Sequence, residues 1–337
     1  MSLCTRRPWA LLALSVLLVG PATMAGAAAR FSSTASHAPS ARTAAAAEPA
    51  HPSPTTSAPK SEPRRLSTMT HSTRRPSSTT RRRSARRAPP GGVYARNAVV
   101  IDPRTDQVLF DKHAHDVVPI ASLSKLMTVM VVLEQQPDLE RWVTVTREDW
   151  LGAGHTHLRI RERVRVGDLL HMSLMCSDNC ATRVLARESG LEHDDFIARM
   201  NRKALELGLT RTRFVEVTGL DERNVSCAAD CAHMLLAAAR VPLVRDIMTT
   251  REYAFASASK RFVLPNTNRL LYGRYEVCGG KTGFIVPAGY CFATWLRTED
   301  RELVAVVLGA PTAATRFADV VRLVERTAAP SVAQRVP

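Results

Sequence analysis

The strand-forming stretches of this chain lie at its two ends, and the middle is helical. Ala98-Val99-Val100-Ile101 and Val108-Leu109-Phe110 are short runs of β-favouring residues, and Asp102-Pro103-Arg104-Thr105-Asp106 between them has turn chemistry. Glu276–Gly280, Tyr290–Leu296 and Glu302–Leu308 repeat that character near the C-terminus, joined by Pro287-Ala288-Gly289 and by residues 297–301. Between these ends, Ser122–Glu134 is apolar all round, the mark of a buried helix. Val166–Met175, Ala181–Ser189 with Gly190 as its stop, and Phe196–Leu207 with Gly208 as its stop follow. Ser226 is expected to cap a helix over Cys227–Ala239. Ala313–Arg326 closes the domain, with Phe317, Val320, Val321 and Val324 at helical spacing. The simplest packing is an α/β fold of the α+β kind. It has one antiparallel sheet built from both chain ends, flanked by helices, with a helical middle.

Composition limits this domain to part of the 337 residues. Met1–Ala29 reads as a secretory signal: Arg6 and Arg7, an apolar Trp9–Val19, then the small residues Ala25-Gly26-Ala27. The apolar run is short of the ~20 residues a membrane span needs. Residues 30–92 are Ser, Thr, Ala, Pro and Arg with almost no large apolar side chains, and are expected to be a disordered linker. This linker holds most of the net charge of +15, so the folded part is close to neutral. A basic tract can bind nucleic acid, but an exported tract without aromatic residues suits a solvated tether or anionic envelope polymers better. The domain is therefore expected over 93–327, with a short tail at 328–337.

Six cysteines follow the signal: Cys176, Cys180, Cys227, Cys231, Cys278 and Cys291. Cys278 and Cys291 flank an expected hairpin and are candidates for a bridge; buried free thiols are the alternative for all six. A spacing of four between cysteines is not a standard zinc pattern, and no metal site is expected.

Three strings stand in order: Ser122-Leu123-Ser124-Lys125, Ser177-Asp178-Asn179 and Lys281-Thr282-Gly283. Together they are the S-x-x-K, S-x-N and K-T-G set associated with serine acyl-enzymes. Ser and Lys three apart on a helix share a face. A serine hydroxyl needs a base, and Lys125 can be one only when neutral, which burial favours. Ser177 is placed to pass a proton to a leaving group. Asn179 can hold Lys125 and a substrate carbonyl, since its amide both donates and accepts. Asp178 is expected to cap the following helix instead of joining the chemistry. Lys281 and Thr282 can bind a carboxylate or amide, and Gly283 opens the strand wall to a substrate backbone. The N–H groups of Ser122 and Phe284 would form an oxyanion hole.

With Pro119–Thr128, Phe214 through Thr218-Gly219-Leu220, Asn266-Thr267-Asn268 and Ala288-Gly289-Tyr290, these residues resemble the low-molecular-weight penicillin-binding proteins, the serine DD-peptidases. The resemblance implies the β-lactamase/transpeptidase-like fold, a periplasmic location, peptidoglycan stem peptides as substrate and acylation of Ser122 by penicillin. It implies no metal or organic cofactor. The chain stops soon after the last expected helix, and so looks most like the DD-endopeptidase branch, the type of penicillin-binding protein 7. A DD-carboxypeptidase is the alternative. A class A β-lactamase would carry E-x-x-L-N where this chain has Glu216-Val217-Thr218-Gly219-Leu220, and a non-catalytic wall-binding protein would not need the intact motif residues.

Overall fold

A computed structural model of the chain describes residues 92–328 apart from His155 and Asp300. The expected signal, the linker and the C-terminal tail lie outside the described residues, boundary residues excepted. Among the described residues eleven strands and eight α-helices follow in order. They are β1 (Asn97–Ile101), β2 (Val108–Lys112), β3 (Val118–Pro119), α1 (Ser124–Glu134), β4 (Trp142–Thr144), α2 (Arg147–Trp150), β5 (Arg163–Arg165), α3 (Val166–Met175), α4 (Asn179–Arg187) and α5 (His193–Glu206). The second half holds β6 (Val225–Ser226), α6 (Ala228–Ala239), α7 (Pro242–Thr249), β7 (Glu252–Ala256), β8 (Arg261–Pro265), β9 (Glu276–Ile285), β10 (Gly289–Arg297), β11 (Glu302–Ala310) and α8 (Ala313–Ala328).

The sheet is built from both chain ends, as the sequence predicts. Its order is β2-β1-β11-β10-β9, antiparallel throughout, with Val99 opposite Val306 and Ala293 opposite Lys281. Side chains alternate faces along a strand, and here both faces are buried. Ala98, Val100, Ala305 and Val307 pack under α8 with Phe317, Val320 and Val324. Val99, Ile101, Val304 and Val306 belong to the larger core on the opposite face, which contains α1, α3 and α6. That double burial is why the strands are near-continuous apolar runs.

The start of the sheet is held by one carboxylate. Asp319 of α8 is fully buried and accepts the N–H groups of Tyr94 (3.0 Å) and Ala95 (2.7 Å), while Arg322 bonds its other oxygen at 2.7 Å.

The structure departs from the sequence expectations in definite places. The turn at Ala121–Leu123 is 3-10, and the α-helix begins only at Ser124. Cys227, not Ser226, caps α6, because Ser226 is tied into β6 opposite Val118 and its hydroxyl meets Thr212 at 2.7 Å. The stretch between 240 and 275, where the sequence suggested no element, forms α7 and the β7–β8 hairpin. The suggested Cys278–Cys291 bridge is not formed: all six cysteines described are free. Register explains this. Cys291 stands opposite Gly283, five residues along β9 from Cys278, roughly 17 Å at strand rise and beyond the reach of a disulfide.

Asp319→Ala is expected to lower stability by about 2–4 kcal/mol, since it leaves the buried Ala95 N–H without its acceptor. The midpoint of urea unfolding, at unchanged slope, checks this.

Candidate active site

Three segments that are distant in sequence meet beside the 3-10 turn: the start of α4, the loop at 216–220 and the middle of β9. Of the polar side chains singled out from sequence, Ser122, Lys125, Ser177, Asn179 and Lys281 come together in one cluster. Lys125, on the first turn of α1, is wholly buried. Its Nζ lies 2.6 Å from Asn179 Oδ1, 2.6 Å from the Thr218 carbonyl and 3.0 Å from Ser122 Oγ.

The chemistry of those partners assigns the protons. Asn179 turns its Nδ2 to the Ala153 carbonyl at 2.8 Å, so Oδ1 faces Lys125. Two of the three neighbours of Nζ can therefore only accept. A neutral amine has two N–H donors and one lone pair, and the lone pair is left for the hydroxyl of Ser122. Burial lowers the Lys125 pKa to about 7, against the nearby carboxylates of Glu216 and Asp178, which act to raise it. Neutral lysine is thus accessible near neutral pH.

Lys281 is buried too. It bonds Ser177 Oγ at 2.8 Å and the Thr282 carbonyl at 2.9 Å. Burial, and then the charge of Lys125, hold it well below the usual lysine range. Ser177 sits at φ +62°, a left-handed backbone that non-glycine residues seldom adopt. Ala121, next to Ser122, is at φ +50°. Such strain accumulates where function over-determines the backbone.

Asp178 caps α4 by accepting from Ala181 N at 3.0 Å, as expected. It does more. It accepts Thr156 Oγ1 (2.8 Å), His157 N (2.7 Å) and the His157 ring (3.3 Å), holding Thr156 and His157 against the start of α4. Burial opposes ionisation of Asp178, yet these hydrogen bonds keep its carboxyl below the usual range. The hydrogen bond to Asp178, reinforced by Cys176, pushes His157 up to about 10.

Two readings change in detail. Gly283 was expected to open the wall to substrate. A Cβ there would instead fall 3.0 Å from Ser122 N and 3.2 Å from the Ile120 carbonyl, so its first task is to let β9 approach the Ser122 turn. Thr282 does not present a free hydroxyl. Thr267 Oγ1 donates to the Met175 carbonyl, so Thr282 donates to Thr267 at 2.7 Å and keeps its lone pairs for other donors. Phe284 is half exposed and stacks on Tyr290 with centroids 4.2 Å apart.

Sequence reasoning noted the 214–220 stretch only by resemblance and missed the task of its Thr218 carbonyl. Glu216 accepts from Thr218 N (2.7 Å), Thr218 Oγ1 (2.6 Å), Asn224 Nδ2 (3.0 Å) and Gly219 N. Its oxygens are occupied in shaping the loop, which agrees with reading it as a loop residue and not a deacylating one. Thr128 of α1 bonds the Val217 carbonyl at 2.6 Å. The signal for this loop was Gly219, at φ +83°, where a Cβ would lie 1.9 Å from the Ala121 carbonyl oxygen. Arg316 was also missed. Its Nη1 donates to the Gly283 carbonyl at 3.1 Å, its buried Nε has no hydrogen-bond partner among the described residues, and burial lowers its pKa to about 10. A cavity of about 720 Å³ behind the 216–221 loop, lined by Arg183, Phe196 and Leu220 among others, does not include the lysine cluster.

Gly219→Ala is expected to destabilise by about 2–4 kcal/mol, through a left-handed φ and a backbone clash that no side-chain shift relieves. Urea unfolding of the variant checks the figure.

The cluster sets a buried lysine amine beside a serine hydroxyl, with a second serine–lysine pair opposite. Comparison with known proteins agrees with this arrangement. The sequence matches the peptidase family S11, D-alanyl-D-alanine carboxypeptidase, over residues 83–312. It is 36% identical over 232 residues to a D-alanyl-D-alanine endopeptidase of Escherichia coli, covering 67% of this chain and 75% of that one. It is 31% identical over 240 residues to a D-alanyl-D-alanine carboxypeptidase of Bacillus subtilis, covering 68% and 61%. A mutant of a Streptomyces DD-transpeptidase superposes with a TM-score of 0.67 at 25% identity, covering 70% of this chain and 98% of that one. The fold is therefore the β-lactamase/transpeptidase-like one, and the chain belongs to the S11 family of serine DD-peptidases.

Proposed function

We propose that the chain hydrolyses peptidoglycan stem peptides through an acyl-enzyme on Ser122, and that its main substrate is the D-Ala–diaminopimelate cross-link. The observation that carries the chemistry is the wholly buried Lys125, whose two acceptor-only neighbours leave its lone pair facing Ser122 Oγ at 3.0 Å. Lys125 takes the hydroxyl proton as the serine oxygen attacks the carbonyl carbon. The N–H groups of Ser122 and Phe284 receive the oxyanion. Ser177 delivers its proton to the departing nitrogen, and Lys281, 2.8 Å away, renews it. Asn179 orients Lys125, and its second amide N–H is available to a substrate carbonyl. Lys281, Thr282 and Arg316 lie along the β9 wall, where a substrate carboxylate is bound. Water then releases the acyl group.

Preference for cross-links over terminal D-Ala is supported by the relatives named D-alanyl-D-alanine endopeptidase, at 36% and 34% identity. Relatives named D-alanyl-D-alanine carboxypeptidase keep the alternative in view. Work on cell-wall peptides implies an extracytoplasmic site and agrees with the expected signal at 1–29 and the basic linker as a tether to anionic envelope polymers. Among the described residues no helix is long and apolar enough to cross a membrane.

Ser122→Ala is expected to abolish labelling by fluorescent penicillin while leaving urea unfolding unchanged; labelling of the variant would remove Ser122 from the mechanism. Mass analysis of products from cross-linked muropeptide dimers and from pentapeptide monomers, offered side by side, decides between endopeptidase and carboxypeptidase.

The acylation rate is expected to rise with pH through about 7, because the active form of Lys125 is the deprotonated one. Lys125→Arg stays charged throughout and is expected to lose about 10²–10⁴-fold in acylation. A pH profile flat from 5 to 9 would contradict the assignment of Lys125 as base.

A further inference from the structure

Beside the β9–β10 turn lies an open depression of about 400 Å³ that the mechanism does not use. Phe284, Val286, Tyr290 and Pro311 give it apolar walls, and Arg96 is the one cation among the described residues that line it. Val286 is 85% exposed and Phe284 47%, so large apolar side chains stand open to solvent next to the proposed oxyanion hole.

Arg96, just ahead of β1, is fixed from two directions. Its Nη2 donates to the Pro287 and Ala288 carbonyls, each at 3.0 Å. Gly309 of β11 lies against its other edge: at φ +72°, a Cβ there would fall 2.3 Å from Arg96 Nε. Only a glycine lets the guanidinium lie across the end of β11. Both hydrogen-bond partners are neutral carbonyls, and among the described residues no carboxylate forms an ion pair with Arg96. A guanidinium has five N–H donors, so the rest of the fork remains available to an anion.

The direction of β9 decides which part of a substrate arrives here. On the proposed mechanism the leaving-side carboxylate lies along Lys281, Thr282 and Arg316, and the reacting carbonyl meets the N–H of Phe284. A peptide held in that way runs its upstream residues past Phe284 towards the turn. One residue upstream, roughly 3.3 Å further at strand rise, the chain stands beside Ile285 and Val286, at the edge of the depression. In a diaminopimelate-containing stem that residue is the diaminopimelyl unit, whose long side chain ends in an amine and a free carboxylate.

We infer that Arg96 is a specificity-determining residue, which binds the side-chain carboxylate of the diaminopimelyl residue immediately upstream of the scissile D-Ala carbonyl. The methylenes of that side chain cover Phe284 and Val286. Two guanidiniums then serve one substrate: Arg316, 5.5 Å from the centre of the Tyr290 ring, on the leaving side, and Arg96 on the upstream side. A lysyl residue at the same place has the amine and lacks the carboxylate, so Arg96 meets a like charge with no counter-ion. Discrimination thus comes from repulsion of the wrong stem as well as attraction of the right one.

This inference rests on the proposed peptidase reading, and its test separates the two. The full chain is offered pentapeptide monomers and cross-linked dimers in three forms. The residue before the scissile D-Ala is diaminopimelyl, diaminopimelyl with its side-chain carboxylate amidated, or lysyl. Product release is followed at varied concentration. For the unaltered chain, kcat/KM is expected to fall about tenfold on amidation and on the lysyl exchange, chiefly through KM. Arg96→Gln retains N–H donors for the turn carbonyls and drops the charge. It is expected to cleave the three forms with kcat/KM within about twofold of one another. Arg96→Lys restores part of the preference. The readout is a ratio between substrates on one protein, so a general loss of activity or stability in a variant does not move it. Arg96→Gln protein that keeps the full preference overturns the inference. So does an unaltered chain that cleaves all three forms equally, and that result leaves the Ser122 reading intact. An unaltered chain that takes no penicillin label and cleaves none of the three undoes the peptidase reading, and this inference falls with it.

Discussion

The site depends on keeping one amine dry. Lys125 lies on the first turn of a helix that is buried on all sides, so no route exists for its side chain to reach water. An isolated ammonium at such a place is costly, and the protein meets that cost by letting the group lose its proton near neutrality. The neutral form must still satisfy two donors. Asn179 and the Thr218 carbonyl do so, each from a different segment. The position of α4 and the shape of the 216–220 loop are therefore set by the same requirement that leaves a lone pair for Ser122.

Bringing these segments together needs close backbone approach, and two glycines permit it. Gly219 presses on the Ala121 carbonyl and Gly283 on the Ser122 N–H, so the 3-10 turn is gripped from two sides. Any larger residue at either place would move the turn that carries the proposed nucleophile. The unfavourable φ values at Ala121 and Ser177 sit at the two serines and nowhere else in the cluster. The dense hydrogen bonding around half-buried Glu216 and buried Asn224 and Asp178 holds that strain in place, with nearly every side-chain oxygen of the three occupied.

The sheet was legible from sequence because its strands are apolar on both faces, and α1 because it is apolar all round. The motif residues were legible because their spacing and order are themselves chemical information. What escaped shares a cause. The Thr218 carbonyl is a backbone atom, and a backbone acceptor leaves no residue-type trace; the resemblance and Gly219 marked the loop but not this task. The β7–β8 hairpin alternates exposed and half-buried residues along Glu252–Ala256, a weak pattern that tertiary packing against α3 completes. Asn266 and Thr267 were noted only by resemblance. Their physical tasks, tying the end of β8 to Met248 and Thr250 and presenting an acceptor to Thr282, appear only once the strands are placed. The cysteine pairing failed for a related reason: proximity in sequence across a turn says nothing about register until the length of β9 is known.

The charges of the site form a pattern that local reading does not show. Lys125 and Lys281 are buried and Arg316 is half-buried, and desolvation holds all three below their ordinary pKa. The carboxylates nearest them, Asp178 and Glu216, are turned away into caps and loop contacts. The neighbours that hold these basic groups are backbone carbonyls, an amide and hydroxyls. A substrate that brings its own carboxylate supplies the missing anion, and a carboxylate near Lys281 and Arg316 favours their protonated forms. Lys281 is then better able to return a proton through Ser177. The proton of Lys125, which lies 3.0 Å from Ser122 Oγ, remains governed chiefly by burial. On the proposed mechanism the same desolvation therefore serves opposite ends: it makes Lys125 a base, and it leaves Lys281 and Arg316 waiting for a charged ligand.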